Sequence, residues 1–220
     1  MKNMKEVIVA PSILGVDENR VIADLPAIQE AGAKWVHIDI MDGKFVHREF
    51  GSLEAFQRLA KHHSLVNDVH IMVEKPKNYV ESYVSAGANY LTFHYEACCC
   101  DHMVETVIDF IHEKGAKAGL SICPDTPVEK IIPFLKKVDL VLVMTVVPGK
   151  GGQAFMAENL EKVKKIKSIR PDVLVEVDGG VNAETAKLAV NAGVDILVSG
   201  SYIFSGDVKE RIANLLAVNK

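Results

Sequence analysis

The strongest constraint on the fold is a regular alternation of short β-branched segments with longer amphipathic segments. Four amphipathic segments end in a glycine followed by Ala or Val, and a glycine there supplies the left-handed backbone that closes a helix. These glycines are separated by about two, one and three times a unit of roughly 28 residues, at Gly32, Gly87, Gly115 and Gly193. Eight such units fill a chain of 220 residues. The pattern predicts one α/β domain over residues 1–220, a single (β/α)8 TIM barrel.

The predicted strands are eight short runs rich in β-branched residues. They span residues 7–12, 35–39, 69–72, 90–94, 117–122, 140–144, 174–178 and 196–199. An open, doubly wound parallel sheet is the competing architecture, but its smaller number of strands would leave too much helix. The GxGxxG turn that usually follows the first strand of such a sheet is also absent from the sequence. The barrel is therefore the predicted architecture.

Composition and charge exclude several classes of function. The chain has 25 Lys+Arg against 29 Asp+Glu and no block of like charges, so it lacks the basic surface of a nucleic-acid-binding protein. No apolar run approaches the ~18 residues of a membrane helix, and the N-terminal apolar segment is too short for a secretory signal. Three of the 4 cysteines are consecutive, which fits neither a zinc ribbon nor a disulfide framework. We expect a cytoplasmic protein with reduced thiols that binds neither nucleic acid nor membranes.

Ligand-type side chains recur on one face of three predicted strands. Alternate residues of a barrel strand point inward, and the apolar neighbours of His37, Asp39, His70 and Asp178 suit the helix layer. The four side chains are therefore predicted to converge at the carboxyl ends of the strands, where barrel active sites lie. Two buried carboxylates need a neutralising partner, and imidazole with carboxylate is a ligand set for Zn²⁺, Fe²⁺, Mn²⁺ or Co²⁺. A single inward histidine would favour a hydrogen-bonded polar core, but four convergent groups predict one divalent metal ion.

Two further polar side chains, His94 and Glu96, share the inward face of the fourth predicted strand. The sequence leaves two roles open for them. They either orient a metal ligand through a hydrogen bond or serve a purely structural purpose.

Glycine-rich turns follow the last three predicted strands, at residues 148–153, 178–181 and 199–201. Glycines let backbone N–H groups approach an anion, and barrels commonly hold a phosphate in the loops after strands seven and eight. A single such turn would indicate only a tight corner, but three adjacent ones predict a phosphate site. Lys150 either adds a positive charge to that site or faces solvent.

Eight motifs in order along the chain carry a family resemblance. They are APSIL (10–14), HIDIMDGKFV (37–46), DVHIMVEKP (68–76), TFHYEA (92–97), GLSICPDTP (119–127), VMTVVPGKGGQ (143–153), EVDGGVN (176–182) and VSGSYIF (198–204). On these motifs the chain resembles the ribulose-phosphate 3-epimerase family over nearly its whole length.

The resemblance implies metal-dependent epimerisation at carbon 3 of a ketose phosphate, D-ribulose 5-phosphate to D-xylulose 5-phosphate, in the pentose phosphate pathway. It also implies a cytoplasmic homo-oligomer whose partner is a small sugar phosphate. Asp39 and Asp178 fall at the two acid/base positions. Substrate positions are matched by Ser12, His70, Met41, Met72 and Met144, and phosphate positions by Gly149, Gly151, Gly152, Gly179, Gly180, Gly200 and Ser201.

The chemistry of the reaction supports this transfer of roles. Epimerisation removes a proton from one face of carbon 3 and returns it on the other, which two carboxylates on different strands can do. A metal on the ketone and hydroxyl oxygens would stabilise the developing enediolate. The phosphate supplies binding energy far from the reacting carbon.

The sequence departs from the family pattern at the predicted mouth of the barrel. Residues 44–51 replace an FVPN-like segment, Lys150 replaces an aromatic residue, and Cys123 replaces an asparagine. Two roles are possible for the charged or titratable residues of the mouth. They are either solvated loop charges or a positive lid over the phosphate: Lys44, His47, Arg48 and Lys150. The identity of the sugar phosphate is open for the same reason.

Three other functions compete with this prediction. A hexulose phosphate such as D-allulose 6-phosphate could be the substrate of the same epimerisation. Aldol synthesis or decarboxylation uses an Asp-x-Lys-x-x-Asp pattern on the third strand, where this chain has His70 and Val73 in place of the lysine and the second aspartate. A non-catalytic phosphosugar-binding barrel would bind phosphate without exchanging the proton on carbon 3.

Overall fold

A closed barrel of eight parallel strands forms the centre of the structure, a computed structural model that describes residues 6–219. The predicted domain of residues 1–220 extends at both ends outside the described residues. In chain order the strands are β1 (Ile8–Pro11), β2 (Trp35–Asp42), β3 (Glu49–Phe50), β4 (Val66–Met72), β5 (Tyr90–His94), β6 (Lys117–Ile122), β7 (Leu140–Met144), β8 (Leu174–Asp178) and β9 (Ile196–Ser199). All pairs are parallel except β2 with the short β3. The sheet order is β1-β9-β8-β7-β6-β5-β4-β2-β3, and a parallel bridge between Ser12 and His37 closes the barrel.

Helices surround this barrel and connect its strands. They are α1 (Glu18–Glu30), α2 (Leu53–Ala60), α3 (Lys77–Ser85), α4 (Asp101–Glu113), α5 (Leu160–Ile169), α6 (Ala183–Ala192), α7 (Ser201–Phe204) and α8 (Val208–Leu216). The connection from β6 to β7 instead has two 3₁₀ turns, Val128–Lys130 and Ile132–Phe134. Within residues 6–219, no helix combines the length and the apolar character needed to cross a bilayer.

Local sequence signals explain where the helices begin and end. Asp17 and Ser52 accept hydrogen bonds from backbone amides of the first turns of α1 and α2. Asn182 and Thr185 form a reciprocal capping box at the start of α6. The four glycines predicted to close helices all have positive φ, between +93° and +111°. This part of the prediction is confirmed.

The strands bury both of their faces, and each face has its own core. The outward side chains pack against the helices in a large apolar cluster that includes Val36, Ile38 and Ile40 of β2. The inward side chains form a smaller cluster at the barrel axis, built from Ala10, Trp35, Leu140, Leu142, Met144, Val146, Ile196 and Val198. The predicted assignment of the two strand faces is confirmed. Polar residues that alternate along a strand with outward-facing residues therefore lie inside the barrel.

Candidate active site and metal site

Strand register places the predicted metal ligands beside one another. Asp39 of β2 is aligned with His70 of β4, and Ser12 forms the bridge to His37. Asp178 ends β8 next to Met144 of β7. One ligand atom from each of His37, Asp39, His70 and Asp178 lies within 4.8 Å of the others. The structure thus brings together all four side chains from three strands.

A buried carboxylate fixes the orientation of the His37 ring. Its Nδ1 lies 2.6 Å from Oδ2 of Asp68, so Nδ1–H donates to that carboxylate. In the neutral ring, Nε2 then carries a lone pair, and this atom has no hydrogen-bond partner among the described residues. It faces Oδ1 of Asp39 at 3.4 Å.

A chain of hydrogen bonds orients the His70 ring in the same way. Its Nε2 lies 2.9 Å from Nε2 of His94, whose Nδ1 is 3.2 Å from Oε2 of Glu96. The carboxylate accepts from Nδ1 of His94, so Nε2 of His94 accepts from Nε2–H of His70. Nδ1 of His70 is therefore left with a lone pair, which faces Oδ1 of Asp39 at 3.1 Å.

These tautomers fit a divalent cation. Two imidazole lone pairs and a carboxylate oxygen face one another with no proton between them, an arrangement that needs a positive charge. Two nitrogen and two oxygen donors are also a set that Zn²⁺, Fe²⁺, Mn²⁺ or Co²⁺ accepts. His37, Asp39, His70 and Asp178 are the residues that would hold the ion.

The protonation of the site reflects the same excess of negative charge. Burial lowers the pKa of His37, but Asp68 and Asp39 outweigh burial and raise it well above the ordinary value. Burial raises the pKa of Asp39, but His37 and His70 outweigh burial and lower it. Burial and then the charge of Asp39 raise the pKa of Asp178 to about 6. The two predicted acid/base carboxyls therefore have pKa values shifted in opposite directions.

A cavity of about 590 Å³ opens above these strand ends. Ser12, Asp39, Met72, Met144 and Asp178 line its floor. Ser12 donates its hydroxyl to Oδ2 of Asp39 at 3.2 Å. His37 and His70 are fully buried, and Met41 is buried in β2 but is not among the described residues that line the cavity.

The predicted phosphate-binding residues all line one side of the cavity: Gly149, Gly151, Gly152, Gly179, Gly180, Gly200 and Ser201. Gly180 has φ +69°, and a Cβ there would lie 2.7 Å from the backbone nitrogen of Phe155. Its position therefore requires glycine. Helix α7 begins at Ser201, so its first amides add to the positive potential on this side.

The structure separates the four unusual cationic or titratable residues of the mouth. Arg48 and Lys150 line the cavity, whereas Lys44 and His47 are not among the described residues that do so. Neither Arg48 nor Lys150 has a side-chain hydrogen bond or an ion pair within the described part of the chain. Their charges are available to an anion in the cavity.

Sequence reasoning missed the roles of two buried acids, Asp68 and Glu176. Burial and then the charge of Asp68 raise the pKa of Glu176 well above its ordinary value. Asp68 orients His37 instead of binding in the cavity. The sequence could have indicated these roles. Asp68 lies two residues before His70 in β4, and Glu176 two residues before Asp178 in β8, so each shares the inward face of its strand.

Comparison with known proteins identifies the family of the chain and supports its fold. The family model described as the ribulose-phosphate 3 epimerase family matches residues 8–204. A ribulose-phosphate 3-epimerase of Bacillus subtilis is 42% identical, over 94% of this chain and 97% of its own. One of Schizosaccharomyces pombe is 37% identical, over 95% and 92%. The solved 3-hexulose-6-phosphate synthase of Salmonella typhimurium has a TM-score of 0.70 at 17% identity, covering 97% of this chain and 98% of that one, and shows the barrel fold. The chain belongs to the ribulose-phosphate 3-epimerase family.

Proposed function

We propose that the protein interconverts D-ribulose 5-phosphate and D-xylulose 5-phosphate, by proton transfer at carbon 3 with one divalent metal ion. The observation that carries this proposal is the pair Asp39 and Asp178. Both carboxyls line one cavity and reach the same point, yet they come from β2 and β8, with β1 and β9 between them in the barrel. Two acids so placed can address opposite faces of one carbon.

The opposite pKa shifts suit the two proton transfers. Asp39 is ionised at neutral pH and can accept the proton from carbon 3. Asp178, with a pKa of about 6, holds a proton more readily and can return one to the other face. In the reverse reaction the two carboxyls exchange roles, as microscopic reversibility requires.

The residues around the pair hold it in place and limit the access of water. The Ser12 hydroxyl fixes one oxygen of Asp39, and Thr145 donates its hydroxyl to the carbonyl oxygen of Asp178 at 2.8 Å. Met72 and Met144 give the floor an apolar surface that disfavours protonation by solvent. A dication held by His37, Asp39, His70 and Asp178 would supply electrostatic stabilisation of the negative charge that develops on the substrate oxygens.

The glycine-rich loops would hold the phosphate at a distance from the reacting carbon. Backbone amides and the start of α7 bind it equally in the ground state and the transition state, so they orient the substrate instead of driving the chemistry. Lys150 would add a charge beside these amides.

The test is a panel of pentulose and hexulose phosphates followed by NMR in deuterated buffer, with and without added metal. We expect the carbon 3 proton of ribulose 5-phosphate to exchange with solvent as xylulose 5-phosphate appears, and a chelator to stop both. Faster turnover of allulose 6-phosphate would reassign the substrate. Phosphate binding without exchange would show a binding protein instead of an enzyme.

A further inference from the structure

A second cluster of metal-binding side chains lies beside the candidate active site but not in its cavity. His94 ends β5, Glu96 lies in the turn that follows, and Cys123 comes directly after β6. One ligand atom from each lies within 4.8 Å of the others. We propose that these three residues form a second metal site, suited to zinc or another thiophilic dication.

The spacing of the donor atoms matches a tetrahedral zinc centre. Bond lengths of about 2.0 Å for nitrogen, 2.1 Å for oxygen and 2.3 Å for sulfur, at tetrahedral angles, put nitrogen about 3.4 Å from oxygen and about 3.5 Å from sulfur. The observed distances are 3.2 Å from Nδ1 of His94 to Oε2 of Glu96, and 3.6 Å from Nδ1 to Sγ of Cys123. Three protein donors leave a fourth position for water.

The surroundings hold two of the donors in place. The backbone N–H of Cys123 donates to Oε1 of Glu96 at 2.8 Å, and the hydroxyl of Thr126 donates to the same oxygen. Oε2 therefore points to the cluster. Lys162 donates to the carbonyl oxygens of Cys123 and Pro124, at 3.0 and 2.5 Å, and fixes the loop that carries the thiol. Such hydrogen bonds to ligand residues orient metal sites generally.

Binding at this cluster has a defined proton balance. Burial raises the pKa of the Cys123 thiol to about 12, so the thiol is protonated until a dication displaces its proton into solvent. Nδ1 of His94 must also become a lone pair, and its proton moves to Nε2. That nitrogen is 2.9 Å from Nε2 of His70.

Absorption spectroscopy with Co²⁺ distinguishes the sites, because only the second contains sulfur. The protein carrying Cys99→Ser and Cys100→Ser, which removes the exposed neighbouring thiols, is titrated with Co²⁺. We expect a near-ultraviolet thiolate-to-cobalt band whose final intensity corresponds to one cobalt–thiolate bond per chain. Cys123→Ser should abolish the band, and the matched control Cys98→Ser, another half-buried thiol, should keep it. Absence of the band, or its loss in Cys98→Ser alone, would overturn the site.

Discussion

At the scale of single residues, Asp39 contacts three other members of the candidate site, Ser12, His37 and His70. Oδ2 of Asp39 accepts a hydrogen bond from the Ser12 hydroxyl. Oδ1 faces the unprotonated ring nitrogens of His37 and His70. These contacts support the two roles proposed for Asp39, metal binding and proton transfer. Asp178 of β8 belongs to the same four-residue cluster, with its pKa shifted in the other direction.

If these two carboxyls transfer the proton on opposite faces, neither can replace the other. Asp39→Asn and Asp178→Asn should each lower kcat/KM for ribulose 5-phosphate by at least about a thousandfold, since each variant loses an essential proton-transfer group. Steady-state kinetics measures the loss, with circular dichroism and metal content as controls. More than a tenth of wild-type activity in either metal-loaded variant would contradict the two-base assignment.

The two imidazoles should be needed for metal binding and not for folding alone. His37→Ala or His70→Ala should lower the metal content of the purified protein by tenfold or more, because the remaining ligand set is incomplete. His102→Ala, at an exposed position of α4, is the matched control and should keep a full complement. Elemental analysis gives the metal content. Full turnover by a protein shown to be metal-free would refute the cofactor.

At the scale of helices and strands, the period-two pattern predicted most of the barrel. Five of the eight predicted strands have the observed bounds, but β2 runs on to Asp42 and β4 begins at Val66. The late start given to the third strand hid Asp68, and with it the carboxylate that orients His37. The short β3 was missed because a two-residue strand has no periodicity to detect. Three prolines between residues 124 and 133 prevent an α-helix after β6.

The phosphate role of the glycine-rich loops can be tested with two glycine-to-alanine variants that introduce similar backbone strain. Gly180 and Gly115 both have positive φ, +69° and +93°, so alanine strains each by about 1–2 kcal/mol. At Gly180 the new Cβ would also displace the backbone of Phe155, while at Gly115 nothing lies within 4 Å. Gly180→Ala should raise KM for ribulose 5-phosphate about tenfold or more, and Gly115→Ala should leave it unchanged. Equal KM values in steady-state assays would remove Gly180 from the phosphate site.

Asp139 provides a pH-dependent link between α4, β6 and β7. Its carboxylate accepts from the Ala118 amide, His112 and Lys117, at 2.9, 2.8 and 3.2 Å. Burial raises the pKa of Asp139, but these partners outweigh burial and hold it below its ordinary value. The stabilisation is therefore present above the ordinary pKa and lost as the pH falls through the lower folded value.

Replacing the Asp139 carboxylate should therefore lower the free energy of unfolding at neutral pH and leave it nearly unchanged in acid. Asp139→Asn should reduce the free energy of unfolding by about 1–2 kcal/mol at pH 7, and the difference from wild type should shrink as the pH falls through the lowered pKa of Asp139. Urea denaturation at both pH values measures it. A difference that persists undiminished in acid would mean that the charge contributes nothing.

At the scale of the whole molecule, membership of the family confirms the predicted barrel and the prediction of an isomerase acting on carbohydrates. Motifs at the strand ends made this possible, because a barrel collects its functional groups there. The cytoplasmic location, the homo-oligomeric state and the roles assigned to individual residues stay predictions. The sequence alone could not show that Arg48 and Lys150 line the cavity while Lys44 does not, since loop conformation depends on contacts between distant segments.

The charge distribution sets a final test. The chain carries a net charge of −4, yet a sugar phosphate must enter a cavity that Lys150 helps to line. A flexible ammonium near a phosphate acts as a point charge on ground state and transition state alike, so its loss should change KM and not kcat. Lys150→Phe should raise KM for ribulose 5-phosphate several-fold at low ionic strength, and the effect should shrink at high salt as screening grows. Lys44→Phe makes the same change of charge outside the cavity and should leave KM unaltered. An unchanged KM in Lys150→Phe would make that lysine a solvated loop charge, and a fall in kcat at constant KM would mean that the loop shapes the reacting geometry instead.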